Sequence, residues 1–357
     1  MGIDQVTNLP LIRTLFYPLN ILFTMNRSLI RSFWTQVVPL PEPTGDFTGK
    51  TVIVTGANTG LGLEAARHFA KLNASKVILG CRDLEKAEAA RRGIQTSLEG
   101  SACELETWKV DLGSFSSVQS FCRRAADLER LDVVIENAGL LSHVYHEFEG
   151  YERQCTINVI STWLMALLLL PTMRRTSLKF DGEQGKDCLP HLCIVGSNAQ
   201  FYTTFEQRNE PRIFESLRED GDMFHRYANT KLLSLLVMRE VSQMMKREES
   251  PRVVLNMVEP GFCISDLLRE GTWPWYYKIL MAVSKFAIGR TSEMGSRNYI
   301  WAATAGTKSH GVYVEDCMLS TPAPIAEGEE GRMLQMKAFS ELAEILEGIV
   351  PQVTHNI

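Results

Sequence analysis

Paired cysteines are missing from this chain. Its eight cysteines stand at 81, 103, 122, 155, 188, 193, 263 and 317, with no CxxC pair and no companion histidines at zinc spacing. That argues against a zinc ribbon or a dithiol couple and leaves reduced, mostly buried thiols of an intracellular protein as the expectation. His143 and His146 lie three apart with no third ligand near them in sequence, so no metal is expected. An excess of base is also missing. The net charge is −5 with a pI near 5.9, which gives no electrostatic footprint for nucleic acid. No uninterrupted apolar run reaches the ~20 residues a spanning helix needs, and there are no internal repeats. A basic start followed by a clean apolar block and a small-residue cut site is lacking too, so a cleavable signal peptide is a poor match.

What is present is 357 residues, 45% of them apolar, enough for one large α/β domain. The ordering stretch is Thr51-Val52-Ile53-Val54-Thr55-Gly56-Ala57-Asn58-Thr59-Gly60-Leu61-Gly62. β-Branched residues break into three glycines, and apolar spacing then turns helical through Ala65, Ala66, Phe69, Ala70 and Leu72. Strand, tight turn and helix follow. Glycines allow positive φ and close approach to a ligand, and the helix start offers N–H groups and a positive dipole end to a phosphate.

The same alternation continues down the chain. Strands are expected at 76–80, up to Val110, at 132–136, 191–196, 252–258 and 311–314, and helices at about 84–99, 115–129, 151–175, after Tyr227, 290–304 and 331–349. This pattern implies a Rossmann-type doubly wound parallel sheet in three α/β/α layers, with ligands at the carboxyl ends of the strands. The second strand closes on Cys81-Arg82-Asp83 with no acid at Gly80 or Cys81 to pair with ribose hydroxyls. Arg82 instead offers a guanidinium for a 2′-phosphate, which favours NADP(H) over NAD(H). Tyr227-Ala228-Asn229-Thr230-Lys231 places a phenol and an ammonium on one helix face, and no other of the nine tyrosines has Lys four residues on. An ammonium there would lower the phenol's pKa from ~10 toward working pH.

The GxxxGxG turn, Asn137-Ala138-Gly139 after a buried strand, a strand-end Ser197 and the Tyr-Lys pair, in this order, resemble the short-chain dehydrogenase/reductase family over about 47–315. TGANTGLG, Cys81-Arg82-Asp83 and the two extensions are most similar to its retinol-dehydrogenase-like and fungal reductase branch. The resemblance implies an NADP(H)-dependent oxidoreductase that interconverts a carbonyl and an alcohol. Ser197, Tyr227 and Lys231, with Asn158 holding a water that links Lys231 to solvent, would be catalytic. Gly56, Asn58, Thr59, Gly60, Leu61, Gly62, Arg82, Asp111, Leu112, Asn137, Ala138, Gly139, Tyr227, Lys231, Pro260, Gly261 and Ser265 would hold the cofactor, Ser265 standing where the family's PGxxxT segment has Thr. A cofactor-sensing binding protein would need no Tyr-Lys pair. An epimerase or dehydratase relative would carry GxxGxxG and a larger C-terminal domain.

Three segments are less determined. Residues 1 to 46 carry an apolar patch from Leu9 to Phe23 with Arg27, Arg31 and Trp34 beyond it, read either as contact with a membrane surface or as packing on the domain. The cytoplasm, with peripheral membrane contact in the first case, is the expected location. Phe201 to Met223, between Ser197 and Tyr227, looks like an inserted lid or wall beside the substrate, and Trp273 to Tyr277 is rich in aromatics. Both suit a small lipophilic substrate, with specialised-metabolite biosynthesis expected by analogy. The long helix at 151–175 is offered as a buried element and a homodimer contact. Residues 316–357 form a C-terminal extension without an assigned role.

Overall fold

In the computed structural model the described residues are 35–36, 38–98, 100–180, 189–246, 253–265 and 275–357. The chain divides into two units, Met1–Pro39 and Leu40–Ile357. The apolar patch from Leu9 to Phe23, with Arg27, Arg31 and Trp34, lies outside the described residues, as do Trp273 and Pro274.

The second unit alternates strand and helix: β1 (Thr51–Thr55), α1 (Gly60–Lys71), β2 (Lys76–Cys81), α2 (Leu84–Ser97), β3 (Glu104–Lys109), α3 (Phe115–Ala126) and β4 (Val133–Glu136). A short hairpin follows, β5 (Glu147–Phe148) and β6 (Tyr151–Glu152), and then α4 (Arg153–Lys179). Next come β7 (His191–Val195), α5 (Ile213–Ser216), α6 (Met223–Met245), β8 (Val254–Glu259), α7 (Trp275–Ile288) and α8 (Ser292–Thr304). The C-terminal part holds β9 (Tyr313–Glu315), β10 (Met318–Ser320) and α9 (Gly328–Ile349).

Eight strands form one sheet in the order β10-β9-β8-β7-β4-β1-β2-β3, parallel throughout except for the β9–β10 hairpin. The strand order reverses between β1 and β4, the crevice where open α/β sheets take their ligands. Alternate side chains feed two cores. Ile53 and Ile78 point into the layer built by α3, α4, α6 and α9, whereas Val52, Val54, Val77 and Leu79 point into the layer of α1, α2 and α8. The expected three-layer architecture is present.

Helix α4 is long and apolar enough to cross a membrane, but 83% of its apolar window is buried inside the unit. It begins later and ends later than the 151–175 expected. Its second turn, Thr156–Ser161, is a π-helix, a local widening that proteins place at functional sites. The C-terminal extension is part of the same body. Ala338, Leu342 and Leu346 of α9 are buried in the core with Leu232, Leu236 and Val241 of α6, so the face of α6 is covered by the chain's own helix. Leu342→Ala should therefore cost about 2–5 kcal/mol, the range for a buried leucine that leaves a cavity. Denaturant unfolding checks it through a lower midpoint with an unchanged slope.

Candidate active site

Because the central strands run parallel, their carboxyl ends meet on one edge, and the loops that leave them carry the candidate residues. The first loop is the glycine turn. Gly56 and Gly60 adopt φ of +66° and +59°, a region that costs other residues strain. A Cβ on Gly62 would stand 2.5 Å from the Gly56 carbonyl oxygen and 2.6 Å from Nδ2 of Asn137, so only glycine fits. Thr59 precedes α1 without capping it through its side chain, and the first turn of α1 holds no acid. Helices α2, α3 and α8, by contrast, are capped by Asp83, Ser114 and Thr291. The start of α1 is thus left to accept an anion.

Asn137 supports this turn from β4. Its Nδ2 donates to the Thr55 carbonyl at 2.9 Å, its Oδ1 accepts from Tyr299 Oη at 3.1 Å, and Ala138 N donates to Thr55 Oγ1 at 3.0 Å. Tyr299, wholly buried on α8, was not among the residues the motifs pointed to. Gly139 brings the chain close to two candidates: a Cβ there would lie 3.3 Å from Asn158 Oδ1 and 3.7 Å from Lys231 Nζ. The π turn of α4 presents Asn158, whose amide grips Leu140 at both main-chain groups, 2.8 Å each, and donates to Thr230 Oγ1 at 3.1 Å. These bonds join the exit of β4 to α4 and α6.

Ser197 follows β7, and its Oγ accepts from Ala199 N at 3.2 Å. Tyr227 lies on α6, 7% exposed, with the Ser197 side chain beside its phenol. Lys231, one turn on, donates from Nζ to the Val195 carbonyl at 2.8 Å and sits 5.8 Å from the centre of the Tyr227 ring. Phenol, hydroxyl and ammonium therefore converge.

Their electrostatics differ from the expectation. Burial raises the Tyr227 phenol to about 12, the Ser197 hydrogen bond opposing and Glu259 adding to the rise. Burial also lowers Lys231 to about 8. The correction has a simple cause: the ammonium is turned toward a carbonyl, and desolvation outweighs its pull on the phenol.

The remaining candidates are spread along the same edge. Arg82 is exposed just beyond β2, its carbonyl accepting from Lys109 Nζ at 2.5 Å. Asp111 Oδ1 accepts from Gly113 N at 2.9 Å, and the Leu112 carbonyl accepts from Ser161 Oγ at 2.6 Å. Gly261 turns the chain after β8 with φ of +88° and donates to Glu259 Oε2 at 2.7 Å. Ser265 closes the described part of that loop, its carbonyl accepting from Lys285 Nζ at 3.0 Å.

Glu259 is a functional-edge residue that the motifs did not mark. It is 3% exposed, the last residue of β8, and in register with Glu315 of β9. Burial and then Glu315 raise its carboxyl to about 8, against the Gly261 hydrogen bond. The folded chain keeps a proton here that the unfolded chain releases around its ordinary value of 4.5. Stability is therefore lost as pH climbs from that value to about 8. Lys231 acts in a separate window, above about 8. Glu259→Gln should melt with the parent near pH 5 and at least ~3 °C above it near pH 8, as thermal scans at both pH values would show.

The segment between Ser197 and Tyr227 is a packed wall. Phe205, Ile213, Phe214 and Leu217 are buried in the core, and Asn229 ties it to α6 through Thr203 and through Gln207 at 2.9 Å. Among the described residues, no group of three or more His, Cys, Asp or Glu could hold a metal.

Comparison with known proteins matches residues 50–186 to a family described as short chain dehydrogenase. The short chain dehydrogenase/reductase dmxR8 of Cryptosporiopsis sp. strain 8999 is 37% identical over 327 residues, 89% of this chain and 96% of that protein. Solved structures share the fold. A Mycobacterium paratuberculosis protein superposes with a TM-score of 0.59 at 24% identity, covering 88% of this chain and 97% of that one. An Escherichia coli CFT073 short chain dehydrogenase complexed with NADPH gives 0.54 at 20% identity, covering 77% and 99%.

Proposed function

The chain belongs to the short-chain dehydrogenase/reductase family, and from that premise we propose that it is an NADP(H)-dependent oxidoreductase interconverting a carbonyl and an alcohol on a small lipophilic molecule. The observation that carries this reading is the convergence of the Ser197 side chain on the Tyr227 phenol, with Lys231 Nζ 5.8 Å from the centre of the Tyr227 ring. A binding protein that only sensed the cofactor would have no use for this trio.

The residues fit a dinucleotide. Gly56, Gly60 and Gly62 leave the backbone close to the start of α1, where Asn58, Thr59 and Leu61 line the turn and no side-chain cap competes for a phosphate. Arg82 lies at the end of β2, where its guanidinium would meet a 2′-phosphate. Asp111 and Leu112 would flank the adenine, Ala138 and Gly139 the sheet side, and Pro260, Gly261 and Ser265 the nicotinamide end. Asn137 would serve by keeping the turn in shape. When bound, the cofactor supplies or takes the hydride.

The chain's part is proton placement. At neutral pH Tyr227 keeps its proton, since burial holds the phenol near 12, so Oη is ready to give it to a carbonyl oxygen as that oxygen gains negative charge. Ser197 Oγ, beside the phenol, would donate to the same oxygen and stabilise the charge. Lys231 would hold the nicotinamide ribose. Asn158 keeps Leu140 and Thr230 in place around these groups. We further propose that the apolar stretch from Leu9 to Phe23 makes peripheral contact with a membrane surface, which would suit a lipophilic substrate.

Tyr227→Phe should lower turnover of an accepted carbonyl by ~10²–10⁴-fold while NADPH binding, followed by fluorescence, stays within about twofold of the parent. Retained turnover would remove Tyr227 from proton transfer. Arg82→Asp should shift the NADPH-to-NADH preference toward NADH by ~10–100-fold, the loss of one charge-assisted contact. Equal ratios of kcat/KM in parent and variant would take Arg82 out of the cofactor site.

A further inference from the structure

Helix α9 lies about a hundred residues beyond the catalytic helix α6, and its polar face joins two things that the site needs held together. One end is fastened to α6: Gln335 Nε2 donates to Glu240 Oε2 at 2.7 Å, and Arg332 pairs with the same oxygen at 2.8 Å. The other contacts run to the wall between Ser197 and Tyr227. Phe214 N donates to Glu341 Oε2 at 3.2 Å, Lys337 Nζ donates to the carbonyl of Arg208 at 3.2 Å and to that of Glu210, and Arg212 pairs with Glu344 at 2.7 Å. At the start of the wall, Ala323 N reaches Gln200 Oε1 at 3.4 Å.

Two of these contacts are buried, Gln335 with Glu240 and Glu341 with Phe214. Glu341 is 5% exposed, and its second carboxyl oxygen, Oε1, is buried with no hydrogen-bond partner. Leaving such an oxygen unpaired is costly, and a leucine or alanine would avoid it. The group is retained where it accepts the N–H of Phe214, itself 2% exposed, which would otherwise be the orphan. The wall begins at one proton-handling residue and ends at the other, so whatever fixes its main chain fixes the distance between the substrate's body and its reacting carbon.

We propose that α9 is a specificity-determining element, in which Glu341 and Lys337 are positioning residues that hold the substrate wall against the catalytic helix and thereby select for carbonyl compounds large enough to reach it. This rests on the oxidoreductase reading given above. None of these α9 bonds touches the glycine turn or Arg82, so cofactor binding is left unaltered. Small carbonyls, which touch only Ser197 and Tyr227, are indifferent to the wall's position.

The test compares the full chain with Glu341→Ala, Lys337→Ala and the near-isosteric Glu341→Gln, using NADPH with 9,10-phenanthrenequinone as the bulky carbonyl and hexanal as the small one. The alanine variants should raise KM for the quinone about tenfold with kcat within twofold, leave kcat/KM for hexanal and NADPH affinity unchanged, and Glu341→Gln should restore the parent KM. Unchanged quinone KM, or an equal loss for both carbonyls, overturns the specificity role. Amide hydrogen exchange supplies a readout that needs no turnover: residues 205–217 should exchange at least tenfold faster in Glu341→Ala with α6 unaltered, and unchanged exchange overturns the proposal. A parent that reduces neither carbonyl yet shows the exchange difference would count against the oxidoreductase reading and leave the bracing by α9 standing.

Discussion

Parallel strand direction is the constraint on which everything else in this molecule depends. Parallel pairing from β3 across to β9 aims every main strand at one edge, so residues separated by up to two hundred positions end within one site. The glycine turn after β1, the Asn137-Ala138-Gly139 exit of β4, Ser197 after β7 and Gly261 after β8 are all strand-end residues. Right-handed crossovers then lay α1 and α8 on one face and α4 and α6 on the other. Each face delivers one function. The first presents an uncapped helix start to a phosphate; the second delivers Asn158, Tyr227 and Lys231.

Burial dominates the electrostatics of this edge. The phenol of Tyr227 is raised, the ammonium of Lys231 is lowered, and the carboxyl groups of Glu136 and Glu259 are both raised, with desolvation the largest cause in each case. Each shift moves its group toward the neutral form, although Lys231, at about 8, keeps its charge at neutral pH. The low polarity that burial creates around these groups strengthens whatever charge a reaction develops among them. The same desolvation costs folding stability, which the two packed cores must offset.

Much of this was legible in the sequence, and the part that was not has a physical explanation. Runs such as Thr51–Thr55 and Asp132–Glu136 announce buried strands because no polar residue interrupts them until the carboxyl end. The glycine spacing and the Tyr227–Lys231 interval are local, so one dimension suffices to see them. Tyr299 and Glu259 escaped because their partners, Asn137 and Glu315, are brought near only by sheet order. The direction of the Tyr227 shift was misread for a related reason: spacing reveals a nearby charge but says nothing of how much water has been removed. The π turn that aims Asn158, and the hairpin before it, arise from packing and carry no periodic signal. Residues 316–357 read as an appendage because α9 has the ordinary pattern of an amphipathic helix, and the face it covers lies far upstream.

That placement of α9 has a kinetic consequence. Its bonds to the rest of the molecule span 95 residues to Glu240 and 127 to Phe214, among the longer loops the chain has to close, and contacts of such separation form late. A chain that has not yet made them leaves Leu232 and Leu236 of α6 without part of their cover. Apolar surface bared in this way during folding favours aggregation, and the last helix of the chain is what closes it.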